Sequence, residues 1–149
     1  IQSEQGGAVY LRLSTRPIEQ VPRSYSDALR RDVIEGGYWL VPPGPGAAVA
    51  VVCCGAVLPE ARDAHAQIVE DDPGAGLLVV TSPGRLERGW SRRVRAGAVG
   101  GDPSHVEQLL AHLDPGAGLV TVLDGHPATL SWLGAVRRHR IVSLGVDAF

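Results

Sequence analysis

The 149-residue chain has no Lys, no Met and no Asn, and only one Phe. These residues share AT-rich codons, so a GC-rich coding sequence accounts for their loss together. All 14 basic residues are therefore Arg without any need for special arginine chemistry. The lack of Lys excludes a Walker-type phosphate loop, which needs Gly-Lys-Ser/Thr. A chain that opens at Ile1 and has no Met reads as a segment of a longer protein. Cysteine is nearly absent. Two adjacent thiols, Cys53 and Cys54, exclude a secreted disulfide framework. An excess of positive charge is missing too: 14 basic against 16 acidic residues leave a net charge of −2, which argues against a nucleic-acid or membrane-surface protein. No apolar run reaches the length of a membrane span, and the Gly-rich, polar start does not resemble a signal peptide, so a cytoplasmic location is expected.

The remaining composition is that of one globular domain. The hydrophobic fraction is 44% and the charged fraction 20%, too apolar for disorder. Residues 8–13 alternate and predict a short strand. Residues 14–22 form a linker with two prolines. Residues 24–35 predict a helix capped by Ser24 or Ser26 and stopped by Gly36-Gly37. A strand over 38–41 follows. Residues 47–54 are a continuous apolar run, as in a strand covered on both faces. Residues 59–71 predict a helix with Ala61, Ala64, His65, Ile68 and Val69 inward. A second buried strand spans 76–81. The helix after Ser82-Pro83 would turn Leu86, Trp90 and Val94 inward. Past the Gly-rich loop 97–101, Ser104-His-Val-Glu107 fits a capping box ahead of the apolar stripe Val106, Leu109, Leu110 and Leu113. Residues 118–123 give a third buried strand, 127–138 a helix and 140–146 a final strand. Strands alternating with helices imply crossover units and a mostly parallel sheet of about five strands, with 38–41 antiparallel at one edge. Asp72-Pro-Gly-Ala-Gly-Leu77 recurs as Asp114-Pro-Gly-Ala-Gly-Leu119, which reads as one helix-to-strand turn used twice rather than as a repeat array.

Candidate chemistry is sparse. After the first long strand only Gly55 is in place for a dinucleotide fingerprint, and Glu60 would repel a phosphate. Neighbours on a strand face opposite ways, so Cys53 and Cys54 read as small core hydrophobes. His65 suits a core edge, whereas His105, His112 and His139 read as surface or capping residues, and no zinc spacing is present. Asp124-Gly-His126-Pro127 stands out. It follows the third buried strand, where α/β sheets bind ligands. His126 and Asp124 are the candidate catalytic residues, with His126 in the crevice and Asp124 orienting it; the alternative is that Asp124 only caps the helix. Arg85, Arg88, Arg92, Arg93 and Arg95 give one helix a basic face, solvated or docked to a partner.

Three segments carry a family resemblance. They are Val9-Tyr-Leu-Arg-Leu-Ser-Thr-Arg16, Val49-Ala-Val-Val-Cys-Cys-Gly-Ala-Val-Leu-Pro-Glu-Ala61, and Leu119-Val-Thr-Val-Leu-Asp-Gly-His-Pro-Ala-Thr-Leu-Ser-Trp-Leu133 with Ile141-Val-Ser-Leu-Gly-Val-Asp-Ala-Phe149. Together they resemble the C-terminal domain of the transketolase family, on the branch of the homodimeric pyruvate dehydrogenase E1 component. The resemblance implies a three-layer αβα sandwich over 23–149, with 1–22 as the end of a preceding domain and a linker. It matches Asp124, the helix carrying Trp132, and Leu144-Gly145 to Phe149. It also implies a parent enzyme using thiamine diphosphate and magnesium, either an oxidoreductase or a transferase. In that family both are held by upstream pyrimidine- and diphosphate-binding domains of paired subunits. The family's Gly-Asp-Gly…Asn motif is not in this sequence, so no cofactor or metal is expected on this stretch. A family active-site His would fall near Ile18-Glu19-Gln20-Val21, which has none. The expected role is subunit contact in a homodimer and one wall of the active-site entrance, with no activity of the 149 residues alone. Two other readings stand beside it: a stand-alone binding module for small anions or nucleotides, using the helix starts at Ser82-Pro83 and His126-Pro127, and a pure assembly domain docking through its Arg-rich helix.

Overall fold

The most apolar run in the sequence becomes the central strand of the sheet, as its burial on both faces requires. The computed structural model describes residues 14–97 and 101–147. The strand expected over 8–13, part of the Gly-rich loop and Phe149 lie outside the described residues. The described chain runs α1 (Asp27–Glu35), β1 (Gly37–Val41), β2 (Val49–Cys54), a 3-10 turn (Gly55–Val57), α2 (Leu58–Asp71), β3 (Gly76–Val80), α3 (Pro83–Arg95), α4 (His105–Leu110), β4 (Gly118–Leu123), α5 (Ala128–Ser131), α6 (Leu133–Arg137) and β5 (Arg140–Leu144). The five strands form one sheet in the order β1-β3-β2-β4-β5. β2, β3, β4 and β5 are parallel, and β1 is the antiparallel edge beside β3. The expected α/β sandwich is thus present, with helices on both faces.

Alternation along the strands divides the core in two. Val52, Leu78, Leu119 and Leu123 face α3, α4, α5 and α6 and pack with Leu86, Leu110, Leu130 and Leu133. Val51, Cys53, Leu77 and Val79 face α2 and pack with Ala61, Leu58 and Ile68. Cys53 and Cys54 accordingly point to opposite faces, and burial pushes the Cys53 thiol up to about 12.

α2 packs on β2 and β3, and among the described residues no helix covers the same face of β4 and β5. β4 was expected to be buried throughout, yet only Leu119, Thr121 and Leu123 are; Val120 and Val122 are half-buried. Val142 is 58% exposed and Leu144 49%.

Local signals set the helix ends. The Ser26 hydroxyl accepts from the Leu29 N–H, and Gly36, at φ 114°, closes α1 in a conformation that favours glycine. The capping box of α4 forms as the sequence implies. Two inward assignments change, and one expected helix is interrupted. Ala64 is exposed, so α2 buries Ala61 and His65 alone. Val94 is 58% exposed; one position earlier, Arg93 turns inward and pairs with Glu107 at 3.0 Å. The helix expected over 127–138 is broken at Trp132. There the Ser131 hydroxyl donates to the Ala128 carbonyl and the Trp132 indole N–H to the Thr129 carbonyl, local bonds that compete with helix continuation.

The recurring Asp-Pro-Gly-Ala-Gly turn clamps the entry of β2 from both sides. Asp72 Oδ2 accepts from the N–H groups of Ala48 (2.8 Å) and Val49 (3.2 Å), while its Oδ1 accepts from Gly74. Asp114 Oδ2 accepts from Gly46. Each turn also places its Ala carbonyl against a buried histidine, Ala75 against His65 (2.9 Å) and Ala117 against His139 (3.0 Å). His139 is therefore a core residue, not the surface or capping residue its position near a helix end suggests.

Two stability predictions follow from these contacts. Asp72→Ala removes three hydrogen bonds and should cost about 1–3 kcal/mol in urea unfolding, more than Asp114→Ala, which removes one. The carboxylate of Glu107 is penalised by burial, but the Ser104 hydroxyl and N–H and then Arg93 outweigh that and hold it below the usual carboxylate range. A depressed native value gives stability that is full above the unfolded value of about 4.3 and is lost as pH falls through the lower native one. The urea midpoint of the wild type should therefore exceed that of Glu107→Gln at pH 6, and the gap should shrink on acidification below about pH 4.

Candidate functional site

The strand order reverses between β2 and β4. The chain leaves β2 for β3 on one side and crosses to β4 on the other. The loops after these two strands must part there, and a crevice opens at their carboxyl ends. It has a volume of about 550 Å³. Its walls come from the 3-10 turn after β2, the end of β4 with Asp124, the end of β5 with Gly145, and Ser14, Thr15 and Arg16 of the linker.

The linker is strapped across this end of the sheet. Arg16 pairs with Glu60, in the first turn of α2, at 2.7 Å, and both side chains are about half exposed. The hydrogen bond and the paired charge hold the guanidinium above its ordinary value and the Glu60 carboxyl below its own. Further along, Ile18 and Val21 share a hollow with Leu58 and Tyr38, and the Arg23 guanidinium lies 4.7 Å from the centre of the Tyr38 ring. Glu19 and Gln20 are exposed on the strap. Among the described residues, the one cation on the crevice wall, Arg16, is thus already matched by a carboxylate.

Asp124 is an exposed residue of the crevice wall, where the sequence places it. His126 is two residues beyond and is not part of that wall. Its Nδ1 accepts from the Ala128 N–H at 3.2 Å, so the imidazole, rather than Asp124, caps the four-residue α5. The structure does not bring the two side chains together in the crevice. The other helix start considered, Ser82-Pro83, follows β3, and its Ser82 side chain makes no cap bond.

Gly145 sets the shape of the turn beneath Asp124. A Cβ there would lie 2.3 Å from the Gly125 carbonyl oxygen and 3.0 Å from the Pro127 nitrogen. The adjacent Val146 N–H donates to the same Gly125 carbonyl at 2.9 Å. The Leu-Gly step after β5 is therefore required by close backbone approach.

Among the described residues, no three His, Cys, Asp or Glu side chains are grouped to hold a metal ion. No described helix is long and apolar enough to cross a membrane. Among the described residues, the crevice combines the Arg16–Glu60 ion pair, an exposed Asp124 carboxylate that no described residue bonds, and a lining of mixed polar and apolar side chains. Sequence reasoning missed Arg16 and Glu60 as a pair, since they are separated by 44 positions and only the fold joins them. A scan against protein-family models finds no match to this sequence, and a search of curated proteins finds no similar one.

Gly145→Ala should push the β5 end away from the 125–127 turn and destabilise the domain by about 2 kcal/mol or more. Thermal unfolding of that variant beside Gly116→Ala, whose Cβ would meet nothing within 4 Å, checks this.

Proposed function

We propose that this domain is the C-terminal unit of a thiamine-diphosphate-dependent enzyme, similar to the 2-oxo acid (pyruvate) dehydrogenase E1 component or to transketolase. It contributes subunit contacts and one wall of the active-site entrance. The observation that carries the reading is the half-covered sheet. Val120, Val122, Val142 and Leu144 form an apolar strip on β4 and β5 that no helix among the described residues covers. A crossover fold normally covers both faces of its parallel strands, so a strip left bare is a surface for another unit. The strap supports the same view. Ser14, Thr15 and Arg16 line the crevice beside Leu144 and Gly145, so the strap passes close to the end of the strip. The α/β sheet with helices on both faces is the fold class that the resemblance implies.

The residues present do not fit the cofactor. The sequence has no Gly-Asp-Gly and no Asn to hold a diphosphate and its magnesium, and the described acids and histidines form no metal-binding group. Cofactor binding and bond cleavage would belong to the upstream domains. Here Asp124 and the strap would shape the approach, Asp124 offering a carboxylate and the Arg16–Glu60 pair a polar rim.

The test has two arms. The coding sequence upstream of Ile1 should contain Gly-Asp-Gly followed at a distance by Asn; its absence would remove the reading. In the parent enzyme, Val142→Asp with Leu144→Asp should lower turnover by about tenfold or more through loss of assembly. The melting temperature of the 149-residue domain should shift little, because both side chains are already about half exposed. Unchanged turnover and assembly would show that the strip docks nothing.

A further inference from the structure

The net charge of −2 conceals a segregation of charge onto opposite faces of the molecule. α2 carries four acids and one Arg, and α3 carries five Arg and one Glu. Glu87, the single acid of α3, is engaged by the Ser91 hydroxyl. α2 packs on one side of the sheet and α3 on the other.

The two helices present matching outer faces. On α3, Arg88, Arg92 and Arg95 are exposed at spacing i, i+4, i+7. On α2, Asp63, Gln67 and Glu70 are exposed at the same spacing. In each helix this stripe lies opposite the inward residues, Leu86 on α3 and Ala61 with His65 on α2. Among the described residues none of the six takes part in an ion pair; the three pairs present use Arg16, Arg85 and Arg93. Small residues flank both stripes, Gly89 and Ser91 on α3 and Ala64 and Ala66 on α2. Gly89 has no packing reason to be glycine, since a Cβ there would meet nothing within 4 Å. A mid-helix glycine costs about 1 kcal/mol relative to Ala, and what it leaves is bare backbone that another helix can approach closely.

We propose that copies of this chain associate head to tail, the basic stripe of α3 on one copy docking on the acidic stripe of α2 on the next. Arginine's planar fork suits carboxylates and the Gln67 amide oxygen alike. Because the two stripes lie on opposite faces, the contact is heterologous: it leaves a free stripe at each end and builds rings or open chains, not a closed two-fold dimer. The attraction is between exposed charges, so it is weak and falls with salt. This assembly does not depend on the enzyme family proposed above.

Sedimentation velocity of the 149-residue chain tests it. At low ionic strength the sedimentation coefficient should rise with concentration, and this rise should vanish at about 0.5 M salt. Arg88→Glu with Arg92→Glu should weaken association by about tenfold or more, and Asp63→Arg with Glu70→Arg should do the same. Mixing the two double variants should restore it, because each then meets its opposite. Gly89→Leu changes no charge and has room in the fold, yet should also weaken association, which separates a shaped interface from bulk attraction. A chain that stays monomeric at low salt overturns the proposal. So does association that survives Arg88→Glu/Arg92→Glu, and so does a monomer that instead binds heparin through α3.

Discussion

The fold depends on how the chain enters β2. That strand is hydrogen-bonded on both edges and buried on both faces along its middle, and its entry, where Gly46 and Ala48 are exposed and Val49 half-buried, is fixed by side chains rather than by packing. Two carboxylates supply the acceptors. Asp72 takes the Ala48 and Val49 N–H groups from the β3 side, and Asp114 takes the Gly46 N–H from the β4 side. Each belongs to a turn that immediately precedes a neighbouring strand, so the same bonds that satisfy β2 also set the levels of β3 and β4. Level starts give level ends. The crevice at the carboxyl ends of β2 and β4 is thus a distant consequence of two acids at the opposite edge of the sheet. A hydrogen bond to a charged acceptor contributes about 1.5–3 kcal/mol, less where it is exposed, which still matters in a domain whose whole stability is of order 5–15 kcal/mol.

Much of this architecture was legible in residue order. The apolar runs of β2 and β3 announce strands buried on both faces, and Gly36 and the Ser104–Glu107 box announce helix ends, because those signals act within one turn. The misreadings have separate causes. Val94 was assigned inward from four-residue steps, which drift around a helix of 3.6 residues per turn, and Ala64 lies at the margin of its stripe, where the helix meets solvent. Leu86 and Trp90 bring Arg93 to the core edge instead, and its aliphatic stem packs while its charge reaches Glu107. His139 was misplaced because its partner is a carbonyl 22 residues away. The bare face of β4 and β5 was equally invisible: a run such as Gly118-Leu-Val-Thr-Val-Leu123 looks the same whether one layer or two cover it.

The candidate site shows the same division between local and distant information. Asp124 could be placed by rule, since a residue just past a parallel strand in an α/β sheet lies at the ligand edge. The role of His126 could not, because an imidazole two residues before a free backbone N–H can either cap it or swing into the crevice, and sequence does not choose. Here it caps α5. The Arg16–Glu60 pair, which neutralises the crevice rim, joins the linker to α2 and exists only once the strap lies across the sheet.

The two surfaces left unsatisfied differ in kind, and that difference orders them. The strip on β4 and β5 is apolar, so its burial is driven by water release and hardly changes with salt. The stripes on α2 and α3 are ionic, so the contact proposed between them would be graded by ionic strength and easily reversed. The strip shares a face of the sheet with α2, whereas the basic stripe of α3 lies on the other face. A unit seated on the strip therefore leaves α3 open while approaching the flank of α2. Permanent contact on the apolar strip and reversible contact through the basic helix are compatible on one domain, and the first would narrow the geometry available to the second.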